Sequence, residues 1–587
     1  MFFQTNAYLK VTKLSLRKTL FLVLCLFQLF PSNSFAQERP IYSYEDRFHP
    51  VVGKSGMVST QEALATQAGL QVLQEGGNAV DAAVTVGFTL AVTLPRAGNV
   101  GGGGFMLVHL ADSNETIAID YREKAPKSAT RDIFLDANGE VDQEKSRFSY
   151  LAAGVPGTFA GMSLALEKYG TISLERALKP AIELAEKGFI VNEDLSNSLL
   201  GMKKYLGLHQ ASREIFFKEG KIPYEPGDIL RQKDLANTLK LIAQEGKAAF
   251  YQGSIAEKIA ATMAANGGLI TKEDLAAYEP VIRQPIQGNY RGYQIYSMPP
   301  PSSGGVHLVQ MLNILENFPI RKSGHNTAKT IHLMAETMKF AYADRSHHLG
   351  DSDFVSVPLA WLTSKVYGRQ LAEKINLNQA TPSEEITPGN LPKRESNDTT
   401  HYSVVDRYGN AVSNTYTLNF SYGSGIVVPG TGILLNNQMD DFSAKPGVPN
   451  AYGLIGGEFN AIEPEKRMLS SMTPTIVMEN GKPFLITGSP GGSRIITTTL
   501  QVIMNVIDHK MNIATATNAV RVHHQWLPDE LRIERGLNED TISLLKEKGH
   551  EVNIKAAMGS TQSIMRVEDK LYGASDPRKS GALTLGY

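Results

Sequence analysis

The sequence predicts an α+β fold in which helices cover antiparallel sheet. Two pairs of segments combine alternating apolar residues with the turn residues of β-hairpins, and hairpins require sheet. These pairs are residues 400–405 with 411–419, and residues 475–479 with 484–487. Between residues 152 and 343, apolar residues repeat mainly at helical spacing, so helices are expected to form the covering layers.

The composition is typical of a large globular protein and excludes few functions. The chain has 587 residues, of which 42% are hydrophobic and 20% are charged, so it can bury a large core. Length alone suggests several domains. The formal net charge of −1 gives no indication of nucleic acid or an anionic membrane surface as a partner.

The first 36 residues differ from the rest and predict a secretory signal. A basic region precedes a short apolar run at residues 19–30, and Ser34-Phe35-Ala36 has the small-x-small pattern of a cleavage site. We expect cleavage before Gln37 and export to the periplasm, with the cell exterior as the alternative. The apolar run is too short to span a bilayer comfortably, so we expect no stable membrane anchor. Cys25 is the only cysteine, so the mature chain has neither disulfide nor thiol chemistry.

Residues 60–94 predict two helices followed by a glycine-rich segment. Gly76-Gly77 ends the first helix, Asn78 caps the second, and the glycine run at 98–104 then leads into a strand at 105–110. A dinucleotide-binding loop has the opposite order, because it follows a strand and opens a helix. We therefore predict close backbone packing here rather than phosphate binding, and no cofactor for the protein.

Arg122 ends a predicted hairpin formed by residues 105–110 and 116–122. An arginine in this position is usually a solvated edge charge. Its planar guanidinium is also suited to bidentate recognition of a carboxylate. Beyond it, residues 155–375 are predicted to be mostly helical, with the clearest helices at 152–168, 173–187, 230–246 and 327–343.

Thr399 lies where a polar, proline-broken run, residues 384–398, meets a predicted strand. If the bond between Asp398 and Thr399 is cleaved, Thr399 becomes N-terminal and carries a hydroxyl nucleophile and an amine base on one residue. The alternative is a loop followed by an ordinary strand, since threonine is common in strands.

The hairpin after Thr399 places polar side chains beside it. If the turn is centred on Tyr408, Thr399 lies opposite Thr417, and Thr415, Thr417 and Asn419 share one face. A bulge at the turn would shift this register by one residue.

Gly491-Gly492 lies at a predicted junction between the strand at 484–487 and a helix at 495–508. Two glycines there expose backbone N–H groups at a helix N-terminus, where an oxyanion can bind. A tight turn with no catalytic role is the alternative. His347-His348 and His523-His524 lack the spacing of a metal site, so we expect structural or surface roles and no metal.

Five ordered motifs resemble those of the γ-glutamyltranspeptidases, and the resemblance covers nearly the whole chain after its first forty residues. The motifs are Thr399-Thr400-His401-Tyr402-Ser403, Thr417-Leu418-Asn419, residues 435–442, Ser470-Ser471-Met472 and residues 488–492. The resemblance implies the four-layer αββα sandwich of N-terminal-nucleophile hydrolases. It also implies a precursor cut into a large subunit, residues 37–398, and a small subunit, residues 399–587, which stay together as a heterodimer in one domain.

The resemblance also implies roles for individual residues. Thr399 would be the nucleophile and Thr417 its orienting neighbour, with the N–H groups of Gly491 and Gly492 stabilising the oxyanion. The substrate-binding residues would be Arg122 for the α-carboxylate, Gln438 and Asp441 for the α-ammonium, and Asn419, Ser470, Ser471 and Tyr452. Tyr452 lies in residues 445–460, which resemble a lid loop present in part of the family.

The implied activity is γ-glutamyl transfer or hydrolysis. Glutathione and other γ-glutamyl compounds would be donors, and water, amino acids or peptides would be acceptors. One alternative is a related glutaryl or cephalosporin acylase, but its substrates lack the α-ammonium that Asp441 and Gln438 would bind. The other is a non-catalytic secreted binding protein with an intact chain. Asp398 departs from the glutamine or other residue often found before the nucleophile, which leaves the cleavage rate open.

Overall fold

Two seven-stranded antiparallel sheets organise residues 47–587. The computed structural model describes residues 46–386, 399–445, 447–448, 450 and 454–587. The predicted signal segment, Asp398 and Tyr452 lie outside these residues. The strands of the first sheet, in spatial order, are Leu583–Gly586, Met57–Thr60, Thr400–Val405, Ala411–Thr417, Gly103–Leu110, Glu115–Asp120 and Val281–Arg283. Those of the second are Val51–Gly53, Lys570–Ser575, Gln562–Val567, Lys482–Thr487, Thr475–Glu479, Tyr293–Ser297 and Ile286–Tyr290.

The two sheets pack face to face. Apolar side chains from both form one buried cluster, which includes Phe105 and Leu107 of the first sheet and Ile476 and Ile486 of the second. Polar side chains also cross the interface, since the hydroxyl of Ser403 donates to the carbonyl of Gln562 at 2.8 Å. Each sheet contains strands that precede position 399 and strands that follow it.

Helices cover the outer faces of both sheets, which gives the predicted αββα sandwich. The helices Ala63–Gln74, Ala79–Thr93 and Thr158–Tyr169 share a buried core with the first sheet through residues such as Val404 and Val412. On the other side, Gly304–Leu315 packs on the second sheet. Its Val309 lies so close to Gly288 that a Cβ there would be 2.8 Å from Val309.

The remaining elements complete these layers. Further helices are Gln143–Phe148, Leu174–Lys187, Glu193–Gly201, Lys203–Leu206, Gln210–Phe216, Lys233–Glu245, Lys247–Tyr251, Ser254–Ala265, Lys272–Ala276, Ile320–Ser323, Ala328–His348, Leu359–Leu362, Lys365–Lys374, Arg494–Ile507, Ile513–Asn518 and Glu539–Glu547. Short strands are Phe189–Ile190, Phe217–Lys218, Ile222–Pro223, Ile229–Leu230, Val427–Val428, Ile433–Leu434, Val522–His523, Leu531–Ile533 and Val552–Ile554. Single 3-10 turns are Tyr150–Ala152, Ser383–Glu385, Gln438–Asp441 and Glu458–Asn460. Within the described part of the chain, no helix is both long enough and apolar enough to cross a membrane.

Two predicted local features are confirmed near the start of the chain. Ala63–Gln74 and Ala79–Thr93 are separate helices, and Asn78 caps the second in a capping box with Asp81. The capping box satisfies backbone N–H groups that a helix N-terminus otherwise leaves without partners.

The prediction that residues 155–375 are mostly helical missed three strands of the two seven-stranded sheets, besides the short two-residue strands listed above. Val281–Arg283 joins the first sheet, and Ile286–Tyr290 with Tyr293–Ser297 forms a hairpin in the second. This hairpin turns through Arg291 and Gly292, both with positive φ, as a two-residue turn matched to strand twist requires. An arginine in the first turn position is a weak turn signal, so the alternation on either side was the better indicator.

Candidate active site

Thr399 lies in a buried position beside the predicted partner strand. The pairs Thr400 with Tyr416 and His401 with Thr415 place Thr399 opposite Thr417, so the predicted register is correct and no bulge shifts it. The side chain of Thr399 is buried, at 4% exposure, and both threonines line one cleft. A residue cut free at this point would present its hydroxyl and its amine to that cleft.

The glycine run supports this end of the cleft by close packing. A Cβ on Gly102 would lie 2.1 Å from the carbonyl oxygen of Thr417, and one on Gly101 would lie 2.1 Å from that of Leu434. Only glycine allows the two backbones to approach so closely. The prediction of backbone packing in place of a phosphate loop is therefore confirmed.

Asn419 follows the second hairpin strand, which ends at Thr417 rather than at residue 419 as predicted. Its φ of +82° turns the chain out of the sheet, a conformation that asparagine tolerates better than most residues. Its N–H donates to Thr417 Oγ1 at 2.9 Å, and its side-chain amide donates to the carbonyl of Asn437 at 3.0 Å. Asn419 also lines the cleft, so the structure brings it to Thr399 although the strand stops short of it.

His401, two residues after Thr399, is unsuited to serve as a general base. Its ring nitrogens contact Thr415 Oγ1 at 2.8 Å and Ser403 Oγ at 3.2 Å. Burial between the sheets lowers the pKa of His401 to about 3, so the ring stays neutral and fully engaged. Among the described residues that line the cleft, the titratable side chains are Arg122, Arg345 and Asp441, and Asp441 is already engaged by Arg122 and Gln438.

Gly491 and Gly492 have the geometry of a backbone donor pair. Both have positive φ, of +135° and +57°, and they precede the helix Arg494–Ile507. Their carbonyls accept from the first turn of that helix, whereas neither N–H donates to an acceptor among the described residues. Gly492 lines the cleft that contains Thr399. These N–H groups are therefore available to an oxyanion.

Arg122 and Asp441 form an ion pair at the other end of the cleft. Arg122 lies two residues beyond its strand and is fully buried, so it is not a solvated edge charge. Its Nη2 is 2.5 Å from Asp441 Oδ2, and its Nε donates to the carbonyl of Met468 at 3.1 Å. Gln438 Nε2 donates to the same Asp441 oxygen at 2.7 Å.

Parts of this ion-pair site have unsatisfied hydrogen-bonding capacity. Within the described part of the chain, Arg122 Nη1 and Gln438 Oε1 are buried without a hydrogen-bond partner. Glu123 Oε2 lies 3.6 Å from Arg122 Nη1, but burial raises the pKa of Glu123 to about 8. Glu123 is therefore mostly protonated at neutral pH, which leaves a donor on Arg122 and an acceptor on Gln438 for a ligand.

Ser470 and Ser471 lie in the same cleft and are held by the loop at residues 299–305. The N–H and hydroxyl of Ser303 both donate to the carbonyl of Ser470, at 2.8 and 2.7 Å. The hydroxyl of Ser302 donates to the carbonyl of Met472 at 2.6 Å. These hydrogen bonds from the loop hold the backbone of the serine segment in place.

Arg345 is a cleft residue that sequence reasoning missed. It lies near the end of the helix Ala328–His348 and is 5% exposed. Its Nε donates to Ser303 Oγ at 2.9 Å, and its Nη2 donates to Ser471 Oγ at 3.2 Å. An arginine within a long helical pattern has no local signal that separates it from a surface charge.

One group of side chains has the composition of a cation site. Of the described residues, His332, Glu336 and His550 place their ligand atoms within 4.8 Å of one another. His332 Nδ1 already lies 2.8 Å from His550 Nε2, and Lys339 Nζ lies 3.1 Å from Glu336 Oε1. Protein groups thus supply the hydrogen bonds and the positive charge, and we assign no metal.

Neither histidine pair singled out in the sequence belongs to the described group with cation-site composition. His347 and His348 are the last two residues of the helix Ala328–His348. His523 contacts Thr497 Oγ1 at 2.9 Å, and His524 contacts Asp529 at 3.1 Å.

Comparisons with known proteins agree on one family. A family model described as Gamma-glutamyltranspeptidase matches residues 65–585. The chain is 60% identical to a glutathione hydrolase proenzyme of Escherichia coli (strain K12), over 95% of this chain and 96% of that one. It is 46% identical to a glutathione hydrolase proenzyme of Pseudomonas sp. (strain A14), over 92% and 95%.

A solved structure of similar fold is named for a different activity. The crystal structure of cephalosporin acylase from Bacillus halodurans superimposes with a TM-score of 0.83 at 30% identity, covering 93% of this chain and 98% of that one. Fold likeness therefore leaves the substrate to be decided by the residues of the cleft.

Proposed function

The chain belongs to the γ-glutamyltranspeptidase family, and on that premise we propose which of its residues mature it, bind its substrate and carry out its reaction. It is an enzyme of glutathione hydrolysis and γ-glutamyl transfer, and it is made as a proenzyme that cleaves itself.

One observation carries the assignment of the substrate-binding residues: Thr399 shares its cleft with the buried ion pair of Arg122 and Asp441. The α-carbon end of a γ-glutamyl group carries one carboxylate and one ammonium. When that zwitterion binds, its carboxylate pairs with Arg122 and its ammonium pairs with Asp441. Arg122 and Asp441 exchange their contact with each other for contacts with the substrate carboxylate and ammonium. The two substrate charges are therefore buried without leaving an unpaired ion.

The neighbouring polar groups fit the same ligand. Gln438 Oε1 is a buried acceptor beside Asp441 and suits an ammonium hydrogen. Ser470 and Ser471 supply hydroxyls to the carboxylate, and Asn419 lines the same cleft. Tyr452 is proposed as a lid residue on the family resemblance alone.

Maturation is proposed to occur at the bond between Asp398 and Thr399. The attacking group is the hydroxyl of Thr399, and the product is a free N-terminal threonine whose amine serves as base. Strands on both sides of this bond belong to both sheets, which supports a heterodimer of residues 37–398 and 399–587 that stays assembled. A signal segment at residues 1–36 and a periplasmic location complete the proposal.

Turnover then proceeds through an ester. Thr399 Oγ attacks the γ-carbonyl carbon while its proton passes to the Thr399 amine, and Thr417 holds the hydroxyl in line. The N–H groups of Gly491 and Gly492 stabilise the oxyanion, each by about 3 kcal/mol, which is roughly a hundredfold in rate. The departing amine takes the proton as the C–N bond breaks. Water, or the amine of an amino acid or peptide, attacks the ester and regenerates Thr399.

Hydrolysis of glutaryl-type substrates is the second candidate, since the cephalosporin acylase of Bacillus halodurans has the same fold. A glutaryl group has hydrogen in place of the α-ammonium. Asp441 and Gln438 Oε1 would then face no positive charge. The glutaryl carboxylate would replace Asp441 as the partner of Arg122, and Asp441 would be left without a partner charge. The cleft therefore favours γ-glutamyl substrates.

N-terminal sequencing and intact-mass measurement of the purified mature protein test this proposal together with an assay. We expect two chains, the smaller beginning at Thr399, and faster hydrolysis of γ-glutamyl-p-nitroanilide than of glutaryl-p-nitroanilide. A single intact chain, or a preference for the glutaryl compound, would contradict it.

A further inference from the structure

The side chain of Arg345 is a buried positive charge without a carboxylate partner. Arg345 is only 5% exposed, and the described residues include no carboxylate within ion-pair distance of it. Burial lowers the pKa of Arg345 to about 10, so the group stays charged at neutral pH. Buried charges are costly unless they are paired, so a guanidinium kept in this state indicates a ligand that pairs with it.

The described lining of the cleft contains more guanidinium groups than carboxylates. It contains two guanidinium groups, Arg122 and Arg345, and one carboxylate, Asp441. Asp441 is already paired with Arg122, and Glu123 behind Arg122 is mostly protonated because burial raises its pKa to about 8. One positive charge is left over, and it belongs to Arg345.

Arg345 also determines where the hydroxyl proton of Ser471 can point. Its Nη2 donates to Ser471 Oγ at 3.2 Å, so that oxygen is the acceptor and its own proton must be donated elsewhere. No described acceptor receives that proton, and Ser471 lines the cleft. The third nitrogen of Arg345, Nη1, donates to no described residue either. A ligand at this point meets a hydroxyl donor backed by a positive charge.

We propose that Arg345 is a second guanidinium for the α-carboxylate of the substrate, acting through the hydroxyl of Ser471, and so a specificity-determining positioning residue. The inference rests on the proposed function, since it takes the bound carboxylate to be that of a γ-glutamyl group. Arg122 then binds the carboxylate directly, while Arg345 orients and polarises the hydroxyl that completes its coordination. A purely structural role, fastening the loop at 299–305 to Ser471, is the competing explanation.

Three p-nitroanilides separate the two charges of the substrate. The γ-glutamyl compound carries carboxylate and ammonium, the glutaryl compound carries the carboxylate alone, and the 4-aminobutyryl compound carries the ammonium alone. In Arg345→Met, we expect kcat/KM to fall about tenfold or more on both carboxylate compounds, mainly through KM, since a charge-assisted hydrogen bond is lost. The 4-aminobutyryl compound should change less than about twofold.

Controls distinguish this inference from a folding defect. Arg369→Met, the same substitution at an exposed site, should leave all three rates unchanged. Arg345→Met should still mature into two chains and have an unfolding temperature no lower than wild type, because an unpaired buried charge has been removed. If Arg345→Met does not mature, Arg345→Lys is measured on the same three compounds. It must then show the same pattern, a loss of kcat/KM on the two carboxylate compounds and little change on the 4-aminobutyryl compound.

A double-mutant cycle tests the route through Ser471. Ser471→Ala should lower the rates on the carboxylate compounds, and adding Arg345→Met should cost much less than it does alone. Equal losses of Arg345→Met on all three compounds would overturn the inference while leaving the proposed function intact. A wild-type enzyme that does not prefer the γ-glutamyl compound would instead overturn the proposed function.

Discussion

The two ends of the cleft are built from different chemistry. The nucleophile end consists of Thr399, Thr417, Asn419 and Gly492, which are uncharged hydroxyl, amide and backbone groups. The binding end contains the charged residues of the described lining, Arg122, Arg345 and Asp441, together with Gln438, Ser470 and Ser471. Among the described residues, the nucleophile end has no ionisable side chain to act as base, whereas the binding end holds an ion pair.

This difference separates two tasks that many active sites combine. With His401 neutral and engaged, the nucleophile end depends on the chain cut to create its base, the amine of Thr399. The binding end exists in the uncut chain as well and depends on no covalent change. Changes at the nucleophile end should therefore affect maturation and turnover together. Changes at the binding end should affect substrate binding alone.

The largest effect is expected for Thr399→Ala. One hydroxyl serves both maturation and turnover, so this variant should remain a single chain with no detectable activity. A denaturing gel and the γ-glutamyl-p-nitroanilide assay measure both. Thr399→Ser is the matched control and should mature, because it keeps a hydroxyl. Two chains of normal size in Thr399→Ala would remove Thr399 from its assigned role.

Arg122→Lys should have an intermediate effect that is confined to binding. Lysine keeps the charge but loses the planar, two-pronged geometry, so KM for the γ-glutamyl compound should rise about tenfold while maturation stays normal. Steady-state kinetics on the matured enzyme provide the measurement. Arg176→Lys, at a surface ion pair with Glu75, is the control and should behave as wild type. An unchanged KM would make Arg122 a structural residue only.

The smallest effect is expected for His401→Gln, and it concerns stability rather than rate. The pKa of His401 is about 3 in the folded protein, against about 6.5 in an unfolded chain. Between these values the unfolded chain binds a proton that the folded chain does not, so stability falls as the pH falls, by about 1.4 kcal/mol per pH unit.

The glutamine variant lacks this titration, so its disadvantage relative to wild type should shrink as the pH falls. Thermal unfolding of both proteins from pH 7 to pH 4 measures the difference in midpoint, and the variant should keep its γ-glutamyl activity. A difference that does not change with pH would mean that His401 titrates as it does in the unfolded chain.

The nucleophile end was predictable from sequence because its residues are close together along the chain. The hairpin fixes Thr399 opposite Thr417 through a single turn, and period-2 alternation gives the facing residues. The glycine run could also be interpreted locally, since its position after a helix excluded a phosphate loop. Even here, the sequence did not show that Asn419 leaves the strand with φ of +82°.

The binding end was predicted only through family resemblance, because its residues come from distant parts of the chain. Arg122, Asp441 and Ser471 are brought together by sheet and loop packing that no local pattern encodes. Arg345 was missed entirely, since a helix places it there and its contacts are with Ser303 and Ser471. The strand Val281–Arg283 was missed for a similar reason, since its partner Glu115–Asp120 lies far away in sequence. The hairpin of Ile286–Tyr290 with Tyr293–Ser297 is local and was missed because its turn signal is weak.

Asp441→Asn tests most directly whether the binding end recognises the charges of the substrate. The γ-glutamyl group carries an ammonium for Asp441, and the glutaryl group does not. Loss of this charge-assisted hydrogen bond should cost roughly 1.5–3 kcal/mol, or about ten- to a hundredfold in kcat/KM. The measurement is the ratio of kcat/KM on the two p-nitroanilides in the matured variant. We expect that ratio to fall sharply while the chain cut stays normal; equal losses on both compounds would contradict the account.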